Sequence, residues 1–572
     1  MSNKSSENLS FPDKGNSYTT MLGFLRRVQK PNGTWVLKVV WSRVFLAILL
    51  LIPILWTMMA CAIYVGFKYL RDYDEMSFME SFIVPFDLQA HRQKVGEYNI
   101  KKAKEFIKVK NWREAFMNLN MGVMRSPKNV EGRQMLSEFF VALWGRPDLA
   151  IKNLEQGLIY AKNNTNYIRF YTRILLDQNE DKKLITVAEK LLSDGDLTNK
   201  DVEAYLAMAI SSVYAMHGNY AKSKEFLVKY KLDKTLPGIL RLSKNEWEQG
   251  HQDEAIKIIS DNFDSVPNKE PIYALLVNYY NSIGDYEKAR QYSVLRSAEN
   301  PFSIDQQLNH LRILKKDGES VKEKANAIFE SYKNDNRNLI YIANFAADTG
   351  DIDLMRRIYD TALQNNYPIA PYCLLLLETM ITIGDYKSAV AFSEEIIKEK
   401  PSWIKKHEDV FACLRAICYY ATGNLNLADI LVEDVLKRSN ASPKVLIATA
   451  RRLDALKDTK YSYKLLEQAV DRFPRHQLAL TRLIQIEMKM GNSTNLDKHI
   501  FRLLQMRRPP RQLVEKARED MASDRFIFVS NRDKLMNEID ILLNNHENQN
   551  MLSNEAPESR ITDDATPEEL GF

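Results

Sequence analysis

The sequence predicts an all-α protein: a solenoid of stacked helical hairpins, preceded by one transmembrane helix. Two observations indicate the solenoid. A glycine recurs at nearly constant spacing through residues 218–491, and small residues accompany it. A third observation indicates the membrane helix, since the 24 residues from Val44 to Phe67 hold no charged side chain. Recurrence at such a period is typical of repeat arrays, in which each unit packs only on its neighbours.

Composition is that of a globular protein. Of the 572 residues, 27% are charged and 45% are hydrophobic, and 20 glycines and 19 prolines leave long helices uninterrupted. The formal net charge of +5 is small, and no dense block of Lys and Arg stands out, so nucleic acid is not an expected partner. Cys61 lies in the apolar segment, while Cys373, Cys413 and Cys418 form no CxxC pair and are expected to be buried thiols.

Residues 1–43 are predicted to be a basic, cytoplasmic N-terminal tail. Up to about Ser17 the tail carries Ser, Asn and Lys, a composition that favours flexibility. From Met21 to Val28 it combines apolar residues with paired arginines. That stretch is compatible with an anionic membrane surface, and a positively charged flank of the membrane anchor explains it equally well.

Residues 44–67 are predicted to cross the membrane. At 1.5 Å per residue, a helix of this length covers a hydrocarbon core of about 30 Å. Pro53 is tolerated in membrane helices, and Trp41 and Tyr69 fall where interfacial aromatic residues are expected. A cleaved signal peptide is the alternative, but its apolar core is shorter and has no preceding tail of about forty residues.

Flanking charges predict which way the segment faces. The basic side chains that precede it are Arg26, Arg27, Lys30, Lys38 and Arg43. After it, Lys68 and Arg71 give way to acidic residues. Because the more basic flank stays in the cytoplasm, the N-terminus is expected to be cytoplasmic and the array to lie on the far side. In a bacterial cell that compartment is the periplasm, and the anchor is in the inner membrane.

The hairpin at Glu270–Ser303 shows the repeat most completely, after a juxtamembrane connector at residues 68–95. Its key positions are Tyr273, Leu276, Val277, Tyr280, Gly284, Ala289 and Pro301. This pattern resembles the tetratricopeptide repeat, which spans about 34 residues, and departs from it at Ser293 and Arg296. The resemblance implies a right-handed α-solenoid whose first helices line a concave groove for protein partners.

The solenoid is predicted over residues 96–510, with about twelve hairpins at the family's repeat length. The turn glycines are Gly218, Gly250, Gly284, Gly318, Gly350, Gly384 and Gly423, at steps of 32, 34, 34, 32, 34 and 39 residues, followed by Gly491. Pro509-Pro510 ends the regular array. Residues 511–545 are expected to form capping helices, and residues 546–572 a disordered acidic tail.

No motif for chemistry stands out in the sequence. The eight histidines are scattered without metal-ligand spacing, and no phosphate-binding or nucleophile motif occurs. The anchor, array, caps and tail account for all of the sequence except connectors, which are too short to hold an enzyme domain. We therefore expect no enzymatic activity, no cofactor, no metal and no small-molecule substrate.

A candidate peptide-binding set lies on the predicted first helices. Its members are Asn278, Asn281, Asn309 and Arg337. The set partly resembles the family's carboxylate clamp, in which Asn, Lys and Arg hold a chain-terminal carboxylate, but Ala274 and Tyr341 stand where that clamp has basic residues. Polar residues on a solvated helix face are the alternative explanation.

Taken together, these patterns predict a membrane-anchored scaffold that binds protein or peptide partners at the envelope, in assembly, secretion or a chaperone-like role. The function is inferred only to the level of protein binding, because a fold hosts many functions. An alternative is a cytoplasm-facing adaptor that recruits an enzyme or protease to the membrane. An enzyme subunit would need a convergent polar pocket, which the sequence does not show.

Overall fold

The computed structural model describes residues 17–20, 23–29, 33–71, 73–438, 441–544 and 551–552. Apart from one small sheet, the regular secondary structure of these residues is helical, which confirms the predicted all-α fold class. The chain divides into two compact units, Met1–Lys162 with Asn166–Tyr171, and Asn163–Thr165 with Thr172–Phe572. The first sixteen residues of the predicted tail and nearly all of the predicted acidic tail lie outside the described residues.

The first unit contains the sheet, the apolar helix and two hairpins. Its elements are β1 (Ser17–Thr20), β2 (Leu25–Gln29), β3 (Trp35–Val39), α1 (Trp41–Lys68), α2 (Phe78–Ile83), α3 (Leu88–Lys108), α4 (Trp112–Arg125), α5 (Val130–Ala142) and α6 (Pro147–Ala161). α3 with α4 and α5 with α6 form the hairpins.

Within the predicted tail, three short strands pair as an antiparallel sheet in the order β1-β2-β3. Leu25 lies opposite Val39 and Gln29 opposite Trp35. Gly33 precedes β3 with a φ of 78°, a left-handed angle that glycine adopts without strain. In strands of four or five residues, the alternation of apolar and polar side chains is too short to distinguish a strand from a polar tail by sequence pattern. The sheet was therefore not predicted.

α1 covers the predicted span of residues 44–67 and extends slightly beyond it at both ends. Among the described residues it is the one helix long and apolar enough to cross a membrane. Ala60 is its one buried residue, and its large apolar side chains are mostly exposed. Pro53 lies inside the helix, and the Thr57 hydroxyl donates a hydrogen bond to its carbonyl at 2.7 Å.

The connector after α1 is packed rather than extended. The last turns of α1 contact a buried cluster formed by Tyr73, Met76, Val84 and Val95. The ring of His91 on α3 stands edge-on to Phe67, with centroids 4.5 Å apart, and its Nδ1 lies 3.2 Å from Glu80 Oε1. Accordingly α3 begins at Leu88, ahead of the predicted start of the solenoid at residue 96.

The second unit contains further hairpins, each formed by two successive helices. These are α7 (Thr165–Asp177), α8 (Asp181–Leu192), α9 (Lys200–Met216), α10 (Tyr220–Lys229), α11 (Leu236–Glu248), α12 (Gln252–Asn262), α13 (Glu270–Ser282), α14 (Tyr286–Glu299), α15 (Ile304–Lys316), α16 (Lys322–Tyr332), α17 (Asn336–Thr349), α18 (Ile352–Gln364), α19 (Ala370–Thr382), α20 (Tyr386–Glu399), α21 (Glu408–Ala421), α22 (Leu425–Lys437), α23 (Pro443–Ala455), α24 (Thr459–Arg472), α25 (Gln477–Met490) and α26 (Leu496–Leu504). α7 contributes residues to both units. Odd-numbered helices from α3 to α25 are the first helices of their hairpins.

Each of the twelve hairpin turns of the described residues contains one residue in the left-handed region. In eight turns it is a glycine of the predicted series, with φ between 69° and 88°, and in a ninth it is Gly145. Lys110, Asn179 and Lys457 take the same position in the remaining three turns, with φ of 59°, 51° and 69°. The turn geometry is therefore constant even where the glycine is absent.

The residue after the left-handed one often caps the second helix. Asp285, Asp351 and Asp385 each accept a hydrogen bond from the backbone N–H three residues later, as do Asn111 and Asn219. Such caps satisfy amides that a helix leaves without a partner at its N-terminus. Turn and cap together fix where each second helix begins.

Small residues at the start of the second helix let the two helices of a hairpin approach closely. The alanines among them with no exposed surface are Ala115, Ala150, Ala255, Ala289, Ala389 and Ala428. Larger apolar side chains fill the space between hairpins, and one continuous buried cluster runs from Ile304 to Leu552. The core is therefore shared along the array rather than enclosed by any one hairpin.

Two helices, α27 (Arg511–Ala522) and α28 (Arg532–Asn544), follow the last hairpin. They contact each other, and α28 also packs on α26. Leu513, Val514, Leu535 and Ile539 are buried in the same cluster as the hairpins. Leu552, inside the predicted acidic tail, is also buried there.

The two ends of the second unit meet through arginines that follow α26. Arg507 donates to both carboxylate oxygens of Asp181, from Nε at 2.8 Å and Nη2 at 2.6 Å, across 326 positions of sequence. Arg508 Nη1 donates to Glu248 Oε2 at 2.6 Å. The same oxygen accepts from the Tyr220 hydroxyl at 2.7 Å. We call these contacts the closing ion pairs.

Asp181 is the most buried member of the closing ion pairs, with 7% of its side chain exposed. Burial alone raises the pKa of a carboxyl group, but hydrogen bonds from Arg507 and His217 outweigh it and lower the pKa of Asp181 to about 2. Pro509 and Pro510 follow the arginines and prevent the chain from continuing as a helix at this point.

The glycine turns generate a prediction. Gly384→Ala is expected to lower the free energy of unfolding by about 1 kcal/mol, because the Cβ of alanine makes the left-handed backbone angle unfavourable. A Cβ at Gly384 meets nothing within 4 Å, so the cost is confined to the backbone. Gly195→Ala is the control, since Gly195 is equally open and has no left-handed φ. Chemical unfolding of the full chain in detergent measures the free energy of unfolding of both variants. Equal destabilisation by the two substitutions would show that the left-handed angle at Gly384 is not the cause.

The closing ion pairs generate a second prediction. Arg507→Leu is expected to lower the free energy of unfolding by about 3 kcal/mol, because it leaves a buried carboxylate without its main partner. Arg290→Leu removes an exposed pair with Glu319, of 2.8 Å, and is expected to cost less than about 1 kcal/mol. Chemical unfolding of both variants, followed by circular dichroism, makes the comparison.

The difference in free energy of unfolding between the wild type and Arg507→Leu is also expected to depend on pH. The pKa of Asp181 is lowered, so its contribution to stability is complete above the unfolded value of about 4 and is lost as the pH falls toward 2. The difference between the wild type and Arg507→Leu should therefore shrink across that window. A difference that is independent of pH would show that the charge of Asp181 does not account for the effect of Arg507→Leu.

Candidate binding surface

First helices of successive hairpins contact one another in the later part of the second unit. α17 contacts α19, and the contacts continue through α21, α23 and α25 to α27. On this side the packing is close enough for Arg452 on α23 to donate a hydrogen bond to Glu378 on α19 at 2.8 Å, past the intervening α21. We call this continuous surface the first-helix face.

All four residues of the predicted peptide-binding set lie on first helices. Asn278 and Asn281 are on α13, Asn309 is on α15 and Arg337 is in the first turn of α17. Asn278 and Arg337 are exposed, whereas Asn281 and Asn309 are half-buried. The Asn281 side-chain oxygen is buried without a hydrogen-bond partner among the described residues.

Asn309 forms hydrogen bonds with residues of its own helix. Asn309 donates to Asp305 at 3.1 Å and accepts from Arg312 at 2.8 Å. Arg312 in turn donates to Asp348 at 2.9 Å. Within the described chain, no hydrogen bond links any two members of the set, so the carboxylate clamp stays a prediction. Arg312 was missed, although its position three residues after Asn309 places both on one side of the helix.

A cleft of about 370 Å³ opens on the first-helix face between α23, α25 and α27. Its charged lining includes Arg451, Asp454, Arg482 and Lys489. The sequence carried a usable signal, because charged residues three, four or seven positions apart share a side of a helix. That signal was missed because the third wall comes from α27, outside the repeat.

The cysteines of the array are not poised for chemistry. Cys373, Cys413 and Cys418 are buried, as predicted. Burial raises the pKa of Cys373 and Cys413 to about 11 and that of Cys418 to about 12, so all three are neutral thiols at pH 7. Across the described residues, no group of three or more His, Cys, Asp or Glu side chains is arranged to hold a metal ion.

Comparisons with known proteins give structural likeness only. No protein-family model matches the sequence, and no curated protein matches it either. PilF of Pseudomonas aeruginosa has a solved structure that is 15% identical, covering 38% of this chain and 97% of that one, with a TM-score of 0.27. A tetratricopeptide repeat protein from Parabacteroides merdae is 14% identical, covering 50% of this chain and 98% of that one, with a TM-score of 0.26.

A third likeness extends over more of this chain. The structure of the APC/C hetero-tetramer Cut9-Hcn1 is 10% identical, covering 80% of this chain and 95% of that one, with a TM-score of 0.26. At these identities and TM-scores the likenesses establish nothing about partners or activity. The assignment of the hairpin type is based on the repeated turns, caps and alanines of this chain itself.

Proposed function

We propose that this array of tetratricopeptide-type hairpins is a membrane-anchored scaffold, without catalytic activity of its own, that binds protein or peptide partners at the cell envelope. The observation that supports this proposal is the first-helix face, which continues from hairpin to hairpin. A face of this kind offers one partner many contacts along its length, as solenoid binding surfaces do.

The first-helix face is also chemically suited to binding. It carries the exposed side chains of Arg337 and of the aromatic Tyr341, both on α17. Aromatic side chains with a polar end contribute strongly to protein interfaces. In the family that the sequence resembles, the corresponding face is concave, and we propose the same use of it here.

The membrane anchor is proposed to be α1. Its apolar side chains are exposed along most of its length, which is costly in water and favourable in a bilayer. Trp35, Leu37 and Val39 on β3 are exposed as well, directly before Trp41 at the start of α1. Tryptophan is enriched at membrane interfaces, so this end of α1 suits the headgroup region.

Orientation is proposed from charge. Arg26 and Lys38 belong to the more basic flank, which favours a cytoplasmic N-terminus and an array on the other side of an inner membrane, in the periplasm. Lys68 and Arg71 favour the opposite topology. That topology would make the chain a cytoplasm-facing adaptor, and it is the second candidate function.

A photo-crosslinking residue tests the binding face in intact cells. Placed at Tyr341 on the first helix α17, it is expected to form adducts with a partner protein, identified by mass spectrometry. Leu363 on the second helix α18 is the matched control, because 49% of it is exposed against 43% of Tyr341. Adducts from Leu363 alone, or equally from both positions, would contradict the proposed face.

Membrane association has its own test. Wild-type chain is expected to stay with membranes after alkaline extraction. Leu55→Arg should release a substantial fraction, since an arginine near the centre of a span costs about 2.5–3.5 kcal/mol. The same substitution at Leu363, outside α1, should release none.

Protease added outside the inner membrane should digest the array if it is periplasmic, and protection would favour the cytoplasm-facing adaptor.

A further inference from the structure

Three arginines from three elements lie together at the end of the first hairpin that packs against α1. Arg71 follows the end of α1, Arg92 is near the start of α3 and Arg125 is the last residue of α4. Arg92 Nη2 donates a hydrogen bond to the carbonyl oxygen of Met124 at 3.5 Å, directly before Arg125. The Arg71 guanidinium lies 5.1 Å from the ring centroid of Phe67. We call these three residues the arginine cluster.

The close crossing of α3 and α4 brings the arginines together. A Cβ at Gly96 on α3 would lie 2.8 Å from the carbonyl oxygen of Gly122 on α4 and 2.7 Å from the backbone nitrogen of Ser126. Arg92 is four residues before Gly96, on the same side of α3, and Arg125 directly precedes Ser126. Glycine at the crossing therefore places two positive charges side by side.

No carboxylate of the described residues forms an ion pair with the arginine cluster. The ion pairs printed by this region join other side chains, namely His91 and Lys94 with Glu80 and Lys101 with Glu75. Burial, together with the positive charges of Arg71 and Arg92, lowers the pKa of Arg125, yet an arginine stays protonated at pH 7. Like charges held close together repel one another, so an anion bound here would be stabilising.

Between α1 and α3, residues 78–88 lie along α1 and expose apolar side chains. The ring centroids of Phe86 and Trp56 are 4.9 Å apart, which places Phe86 beside the apolar part of α1 rather than beyond its end. The backbone N–H groups of Val84, Phe86 and Asp87 all donate hydrogen bonds within the segment, as a lipid environment requires. Its exposed large apolar side chains are Phe78, Met79, Ile83, Phe86 and Leu88.

We propose that this end of the first unit binds anionic phospholipids, with the arginine cluster holding headgroup phosphates and residues 78–88 entering the apolar layer. The inference rests on the proposed membrane anchor and adds a lipid site to it. With 28 residues α1 is about 42 Å long, more than a hydrocarbon core of about 30 Å, so its ends reach the headgroups. Arg71, three residues after α1, lies at that level, and guanidinium groups bind phosphate in paired hydrogen bonds.

Other anions account for less of this surface. A free phosphate ion or an acidic protein segment would also neutralise the arginine cluster. Neither explains the exposed apolar side chains of residues 78–88, whereas a phospholipid carries a phosphate and acyl chains in one molecule. Basic groups beside a membrane helix are a recognised kind of site for lipid headgroups.

Native mass spectrometry of the full chain in detergent tests the proposal. The probes are phosphatidylglycerol and phosphatidylcholine at equal concentration. Adducts with phosphatidylglycerol are expected to be at least about fivefold more abundant, because each basic group near the headgroups adds to the attraction for an anionic lipid. Equal adducts of the two lipids would overturn the proposal. Displacement of phosphatidylglycerol by excess inorganic phosphate would show a plain anion site and overturn the choice of lipid.

Paired variants locate the site. Arg92→Gln with Arg125→Gln is expected to reduce the preference for phosphatidylglycerol at least about fivefold while circular dichroism is unchanged. The matched control, Lys108→Gln with Arg113→Gln, makes the same change of net charge at exposed positions on the opposite ends of α3 and α4. It should keep the preference of the wild type. Equal loss in both variants would show that only overall charge matters, which would overturn the site.

A photo-crosslinking residue tests the apolar part of the surface. At Phe86, 79% exposed, it is expected to form adducts with lipid in intact membranes. Val109, 71% exposed, is the control, because it follows α3 at its far end and α3 is about 30 Å long. Adducts of Phe86 with protein in place of lipid would favour a protein partner and overturn the proposal, as would equal lipid adducts from both positions.

Alkaline extraction separates failure of the lipid site from failure of the anchor. If the wild-type chain is released from membranes, the anchor and the lipid site both fail. If it stays with membranes and shows no preference for phosphatidylglycerol, the anchor stands and the lipid site alone fails. The double variant of Arg92 and Arg125 should stay with membranes, because α1 is unchanged in it.

Discussion

Stacking is the constraint on which this structure depends. A single hairpin of two short helices cannot bury both of its apolar sides, so each hairpin needs the next one. The buried alanines, such as Ala289 and Ala389, set how closely the two helices of a hairpin lie, and the left-handed turn residue sets where the second helix begins. The same local geometry, repeated from hairpin to hairpin, therefore decides the path of the array within each unit.

The closing ion pairs follow from that repetition. Arg507 can lie 2.6 Å from Asp181 only if the small rotations between many successive hairpins add up consistently. The closing ion pairs also bear on the proposed binding. They hold the first-helix face in one arrangement, whereas without them the hairpins would be free to bend relative to one another. This pairing also explains why buried charges are tolerated here, since each is matched by an opposite charge and by further hydrogen bonds.

The sequence predicted what is encoded locally. Gly284 and its relatives marked the turns, and the uncharged run after Val44 marked α1. Turns at Lys110 and Asn179 were not marked by glycine, because an ordinary residue in a left-handed turn leaves no local signal. The closing ion pairs join residues from distant helices, and no single-sequence pattern records such a juxtaposition. The charged residues of the cleft at Arg482 share sides of their helices, but one wall of the cleft comes from a helix outside the repeat. The four predicted groove residues lie on first helices, and their use as one binding site stays a prediction.

The measurement that tests the account most directly is a distance between the two ends of the second unit. Spin labels at Lys182 and Gln505, both exposed and adjacent to the closing ion pairs, allow this distance to be measured by pulsed electron paramagnetic resonance in the full chain. The account predicts one short distance with a narrow distribution, which broadens when Arg507 and Arg508 are replaced by leucine. A long or broad distribution in the wild type, unchanged by those replacements, would contradict it.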